Sequence, residues 1–221
     1  MLKKLTEEKQ NEILEAGIRV FAEHGLKDAG MSEIAREAGI SVGVLYKYYA
    51  DKEDFFLKCL KKSLSVLEDT VGQITAEEDK PINYARQLVD AVIRFSRENP
   101  AYVRMYHEIT SSGTQELAAE MAEHIEGMTS RTYTEIVARA QRAGSVRSDL
   151  DPAMFAMFMD NLLMMLQFTY SCPYYRERYR LYRGRDIAEE DELVADQLIR
   201  FLESAFTLER DDFVHTPADE G

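Results

Sequence analysis

Tryptophan is missing from this 221-residue chain, cysteine occurs twice, histidine four times and proline five times. Cys59 and Cys172 stand too far apart for a paired metal motif or a disulfide scaffold, so each reads as a small core hydrophobe. With so little histidine, no glycine-rich phosphate loop and no serine elbow, a helical enzyme or metal-dependent hydrolase has almost nothing to work with. Glu120 and His124 share an i, i+4 spacing, but two ligands without a third read as a solvated pair. No apolar run reaches the roughly 18 residues of a membrane helix. The richest, residues 154–168, is interrupted by Asp160 and Asn161. The opening MLKKLTEEKQNEILEAG lacks the apolar core of a secretory leader. A cytoplasmic protein with no membrane partner, no metal and no cofactor is therefore expected.

Positive charge is also short. Lys and Arg number 27 against 40 Asp and Glu, a formal net charge of −13, which argues against a general nucleic-acid coat. The deficit is uneven. Residues 1–60 hold nine basic and eleven acidic side chains, 9 − 11 = −2, and the remainder 18 − 29 = −11. A polyanion can approach only the N-terminal part, through a local constellation.

What the chain does have is apolar spacing of helical period nearly throughout, which predicts an all-α fold. Glycine and proline punctuate it. A first helix carries Ile13, Gly17, Val20 and Phe21 on one face and ends at His24-Gly25; Gly30 opens a second, which Gly39 ends; Ser41 caps a third through Tyr48; Asp51 caps a fourth. Further helices are predicted from Pro81 to about Glu98, from Asn99-Pro100 through Ile109, from Thr114 to Ala143, from Asp151-Pro152 to about Tyr170, and from about Glu189 to Leu208. The expected organisation is a small helical unit at 1–57 linked by a helix at 51–75, a larger helical unit at 58–208, and an acidic tail at 209–221.

Two short helices joined by a glycine turn form a helix-turn-helix, whose second helix enters the DNA major groove. Ile34, Ala35, Ile40 and Leu45 are its inward residues. The series Phe21, Gly25, Met31, Ile34-Ala35, Ala38-Gly39-Ile40-Ser41, Gly43, Leu45-Tyr46, Tyr48 and Asp51-Lys52 closely resembles the N-terminal pattern of the TetR family of bacterial transcriptional regulators, over about residues 7 to 57. Ala29-Gly30 stands where that family often has Thr-Ser, and Tyr49 where it has Phe. The resemblance implies a ligand-responsive regulator, either a repressor or an activator or DNA-occlusion factor on the same fold. Its partners would be double-stranded operator DNA, a small-molecule effector and a second copy of itself.

Within that frame Ser41 and the first turn of the third helix are placed to bind a phosphate, and Gly43 lets the backbone approach. Val42 and Val44 can read only shape or a thymine methyl, and Lys47 is the candidate for guanine O6 or N7. The resemblance gives Tyr46 and Lys52 phosphate contacts; Tyr48 touches backbone or base. Plain core packing is the competing account of Leu45, Tyr48 and Tyr49.

The larger unit is, by the same resemblance, an effector-binding and dimerisation domain. Its methionines and aromatics suggest a hydrophobic or aromatic effector lined by Tyr102, Tyr106, Met121, Met128, Phe158 and Met165, although core filling explains the same residues. The helix at 154–168 is apolar all round, which calls for burial on both sides. Phe155, Leu162, Leu198, Leu202 and Phe206 are the expected dimer contacts. The Arg/Tyr segment 174–185 reads as a connector whose arginines pair with acidic residues; a single-strand nucleic-acid site and a protein-binding adaptor surface are the alternatives.

Overall fold

The computed structural model describes residues 5–72, 74, 81–112 and 115–207, and every α-element among them begins or ends close to its expected punctuation. The N-terminal four helices are α1 (Glu7–Asp28), α2 (Met31–Glu37), α3 (Val42–Tyr48) and α4 (Lys52–Gly72). Thr6 caps α1, its hydroxyl accepting from the Lys9 N–H at 3.2 Å. Asp51 caps α4, accepting from the Asp54 N–H at 2.8 Å, while the Asp54 carboxylate takes the Ala50 N–H at 3.0 Å, a reciprocal box that satisfies two otherwise unpaired donors.

At Gly17 the first helix meets the fourth. A Cβ there would stand 2.6 Å from the Phe55 ring and 2.7 Å from the Cys59 sulfur, so only glycine permits this approach. Phe21 packs edge-on against Phe56 with ring centroids 5.1 Å apart, and Ile13, Ile34 and Leu45 complete a fully buried centre. The break expected after His24 occurs at Gly25, where φ is 74°, but the helix resumes for one more turn to Asp28. That turn persists because it is held from outside, as described below.

Among the described residues six α-helices follow: α5 (Pro81–Glu98), α6 (Pro100–Ser112), α7 (Gln115–Arg142), α8 (Pro152–Ser171), α9 (Pro173–Arg183) and α10 (Asp191–Thr207). The Asp151 carboxylate accepts from the N–H groups of Ala153 and Met154 at 2.9 and 3.0 Å, fixing the start of α8, which then packs against α5, α6, α7 and α9. One core runs from the α1–α4 unit into α6 and the end of α8, through Val103, Met105, Ile109, Phe168 and Cys172. A second gathers Leu88, Val92, Val137, Leu163 and Ile199 between α5, α7, α8 and α10. Both thiols are core groups: burial pushes Cys172 up to about 11 and Cys59 further still.

Helix α8 turns one side into the chain's own core, and the other is the side expected to meet a second copy. Phe155 is 5% exposed and stacks on Phe206 at 5.1 Å, and Leu202 lies in the same core, so these three are interior residues and not dimer contacts. Leu162 and Leu198 pack partly against that core. The side left open carries Met154, Met157 and Phe158, the last 55% exposed, and α10 exposes Phe201.

The α9 arginines pair as the connector reading requires. Arg176 and Arg180 both reach Asp186, holding its carboxyl down to about 2, and Arg183 donates to Glu190 at 2.9 Å. The expected tail at 209–221 lies outside the described residues, as do the side chains of Glu120, Met121, His124 and Met128.

Candidate functional site

The turn between α2 and α3 is built from backbone. Gly39 takes φ 65°, which lets the Ile40 N–H reach back to the Ala35 carbonyl at 2.9 Å and the Ala38 N–H to Ile34 at 2.9 Å. No atom crowds a Cβ at that position, so glycine is required by conformation and not by space. Leu45, 1% exposed, plugs α3 into the core. The opposite face presents Ser41, Val42, Gly43, Tyr46 and Lys47 to solvent, with Tyr46 53% exposed. Val44 is half-buried.

The structure adds five details to the sequence reading. Ser41 adopts the extended N-cap backbone but its hydroxyl makes no capping bond, leaving it available outward. Tyr48 is half-buried, its hydroxyl accepting from the Leu5 N–H at 3.0 Å, so the side chain ties the start of the chain to α3. The Lys47 ammonium lies 5.7 Å from the Tyr48 ring centroid, a loose cation–π contact. Lys52 donates to the carbonyls of Lys27 at 2.9 Å and Ala29 at 3.2 Å, so its charge closes the end of α1 where the helix dipole is negative. Tyr49 turns inward against Phe55 at 4.5 Å, and burial raises its hydroxyl's pKa.

A second constellation lies inside the larger unit. The Tyr106 hydroxyl of α6 donates to Glu126 of α7 at 2.6 Å and sits 3.4 Å from the Met164 sulfur of α8. Asp160, one turn before Met164, has its carboxyl pushed up to about 6 by burial and by the Glu126 charge. Tyr133 is buried beside both carboxylates, and burial raises its hydroxyl and that of Tyr106 far above the usual phenol range. Gln167 is 7% exposed and its Oε1 has no hydrogen-bond partner among the described residues.

Of the expected pocket residues, Tyr106 belongs to this cluster and Met165 packs partly buried on the first core. Tyr102 faces the other way, donating to Glu15 of α1 at 2.5 Å. Phe158 is on the surface, because the helical phase that points Asp160 inward points Phe158 out. Glu126, Asp160 and Gln167 were not singled out by sequence as site residues, though one signal was present. Asp160 and Gln167 share a face at i and i+7 with Met164 between them, an unusual polar pair in an apolar helix.

The two constellations are joined by α6. Its Tyr102 and Glu108 contact α1 and its Tyr106 contacts α7 and α8. The helix expected to link the two units, α4, also joins them, and α6 adds the polar links named here.

Residues 13–59 match the family model described as bacterial regulatory proteins, tetR family. The chain is 37% identical over 68 residues to the HTH-type transcriptional regulator HbdR of Aromatoleum sp. (strain CIB), a match covering 31% of this chain and 30% of that one. It is 24% identical over 152 residues to the nucleoid occlusion factor SlmA of Haemophilus ducreyi, covering 67% of this chain and 75% of that protein. In three dimensions it resembles the transcriptional regulator FadR of Bacillus subtilis, solved in complex with stearoyl-CoA. That match has a TM-score of 0.71 at 16% identity, over 90% of this chain and 100% of that one.

Proposed function

We propose that this chain, which belongs to the TetR family of bacterial regulatory proteins, is a homodimeric transcriptional repressor released from a pseudo-palindromic operator by a small effector with an apolar part. The observation that carries the DNA half of this reading is the outward face of α3. Ser41, Val42, Gly43, Tyr46 and Lys47 are presented together on an otherwise strongly acidic chain. Lys47 reads a base edge, while Ser41, Tyr46 and the remaining proton of Lys52 hold phosphates. Val42 and Val44 add contact without hydrogen bonds.

The open side of α8 and the exposed side of α10 support the dimer. Met154, Met157, Phe158 and Phe201 form an exposed apolar surface of the kind a two-fold interface covers. Two copies would set their α3 helices in successive major grooves, about 34–36 Å apart. An effector that prefers a different separation then lowers operator affinity in proportion to its differential affinity for the two arrangements. This is binding and not catalysis.

Gel-shift titration with DNA from upstream of the coding region tests the reading. The expected result is a discrete complex that survives a large excess of unrelated DNA and dissociates with cell extract containing the effector. Equal affinity for all sequences would overturn it. The similarity to SlmA supports a second reading, an occlusion factor on the same fold. Reporter expression in a deletion strain separates the two, since only the regulator changes transcription of its neighbouring genes.

A further inference from the structure

We infer that Glu126 of α7 and Asp160 of α8 form the receptor for the cationic head of an amphipathic effector, a lipophilic amine or quaternary ammonium, with Tyr106, Tyr133 and Gln167 completing its walls. Its use as a switch rests on the regulator reading above; its chemistry does not.

The Glu126 and Asp160 carboxylates stand near enough between α7 and α8 for the first charge to act on the second, and among the described residues neither forms an ion pair. Among the described residues one neutral hydroxyl, from Tyr106, donates to Glu126, and none donates to Asp160. Like charges brought together under burial call for a proton or a cation, since leaving both ionised and unmatched is costly. The proton is partly supplied, because Asp160 titrates near 6. A cationic ligand would displace it.

The surroundings suit an organic cation better than a hydrated metal ion. Phenol rings offer negative faces and the Met164 thioether is soft and polarisable, both favourable to ammonium groups bearing carbon. The orphaned Gln167 oxygen is an independent pointer. It follows Met164 by one turn on the same face of α8, is almost wholly buried, and awaits a donor that none of the described residues provides. An ammonium N–H or a hydroxyl further along the ligand would satisfy it. A carboxylate or phosphate head would instead add a third negative charge.

Among the described residues the groups acting on Asp160 are few. Glu126 and Tyr133 come from α7, Tyr106 from α6, and Tyr84 of α5 stands beside Tyr133. Helix α9 meets the far end of α8 at Phe168. Cation binding therefore strengthens as pH rises through the range in which Asp160 loses its proton.

Calorimetric titration of the full chain, without DNA, uses four twelve-carbon probes below their micellar concentrations: dodecyltrimethylammonium, dodecanol, dodecanoate and dodecanoyl-CoA. The ammonium is expected to bind about tenfold or more tighter than the alcohol, and both anions more weakly than the alcohol. From about pH 5 to 7.5 ammonium affinity should rise several-fold, with proton release. E126Q and D160N should each lose about tenfold toward the ammonium and less than about threefold toward the alcohol. Absence of ammonium binding, an anion that binds as tightly, or variants with unchanged preference would overturn the inference. A chain that binds the ammonium but never selects operator DNA would sink the regulator reading and leave this receptor standing.

Discussion

The Glu108 carboxylate of α6 accepts a hydrogen bond from the Leu26 backbone N–H at 3.0 Å, joining residues 82 positions apart at the point where α1 breaks. A Cβ added to Gly25 would stand 3.1 Å from the same carboxylate, so glycine and glutamate fit as a pair. The donor is one that the interrupted helix leaves over, and α6 supplies the acceptor. Glu108→Ala should cost about 1–3 kcal/mol in chemical denaturation, because the amide is left part-buried without its partner. The more informative readout is effector response. Operator affinity without effector should change little, while the effector concentration needed for release should shift.

Gly17→Ala tests how closely α1 and α4 must approach. The added methyl would stand 2.6 Å from the Phe55 ring, which is fully buried and cannot rotate away freely. A loss of about 1–3 kcal/mol, read from urea melts, is expected from overpacking. A neutral result would mean the two helices slide apart at no cost.

Lys47→Ala and Lys52→Ala should differ in kind. The first leaves stability unchanged and relaxes preference at one operator position by about 1–3 kcal/mol. The second frees the carbonyls of Lys27 and Ala29, so it should lower both the melting temperature and affinity for every operator variant. Parallel melts and gel shifts across single-base operator variants distinguish the two roles.

Asp160→Asn should change how stability depends on pH. The folded chain raises this carboxyl from 3.8 to about 6, so it holds the proton more tightly than the unfolded chain does. That contribution is fully present below about pH 4 and is lost as pH rises through about 6. Relative to wild type, the asparagine variant should gain stability across that window, up to about 3 kcal/mol at neutral pH, since each unit corresponds to about 1.4 kcal/mol. Equal pH profiles for the two proteins would contradict a buried, destabilised carboxylate.

Phe158→Glu and Phe201→Glu should each produce a folded monomer in sedimentation velocity, with helical content unchanged, because both side chains are exposed in the single chain. Phe155→Glu should instead unfold the protein, since Phe155 is interior.

The helices were legible because helical period and end signals are local. Asp51 and Asp151 cap, Gly39 turns and Pro81 starts, each through bonds within a few residues. The face of α3 was legible for the same reason, since Leu45 anchors it and its opposite side follows from the period. The two sides of α8 were not. Apolar residues surround it, so sequence cannot say which meet the chain's own core; Phe155 and Phe158, three positions apart, fall on opposite answers. Glu126 was also hidden, as its meaning depends on Asp160 and Tyr106 arriving from other helices. The carbonyls taken by Lys52 illustrate the same limit, because a lysine in a DNA-binding pattern looks no different when it serves as a brace.

The core that runs without interruption from Ile13 and Leu45 through Val103 and Met105 to Phe168 has a practical corollary. A fragment cut after the fourth helix would keep its reading face but lose part of the apolar mass that steadies it. Such an excised head should be sluggish to fold or prone to clumping, and grafting it onto foreign partners would require bringing the sixth helix along.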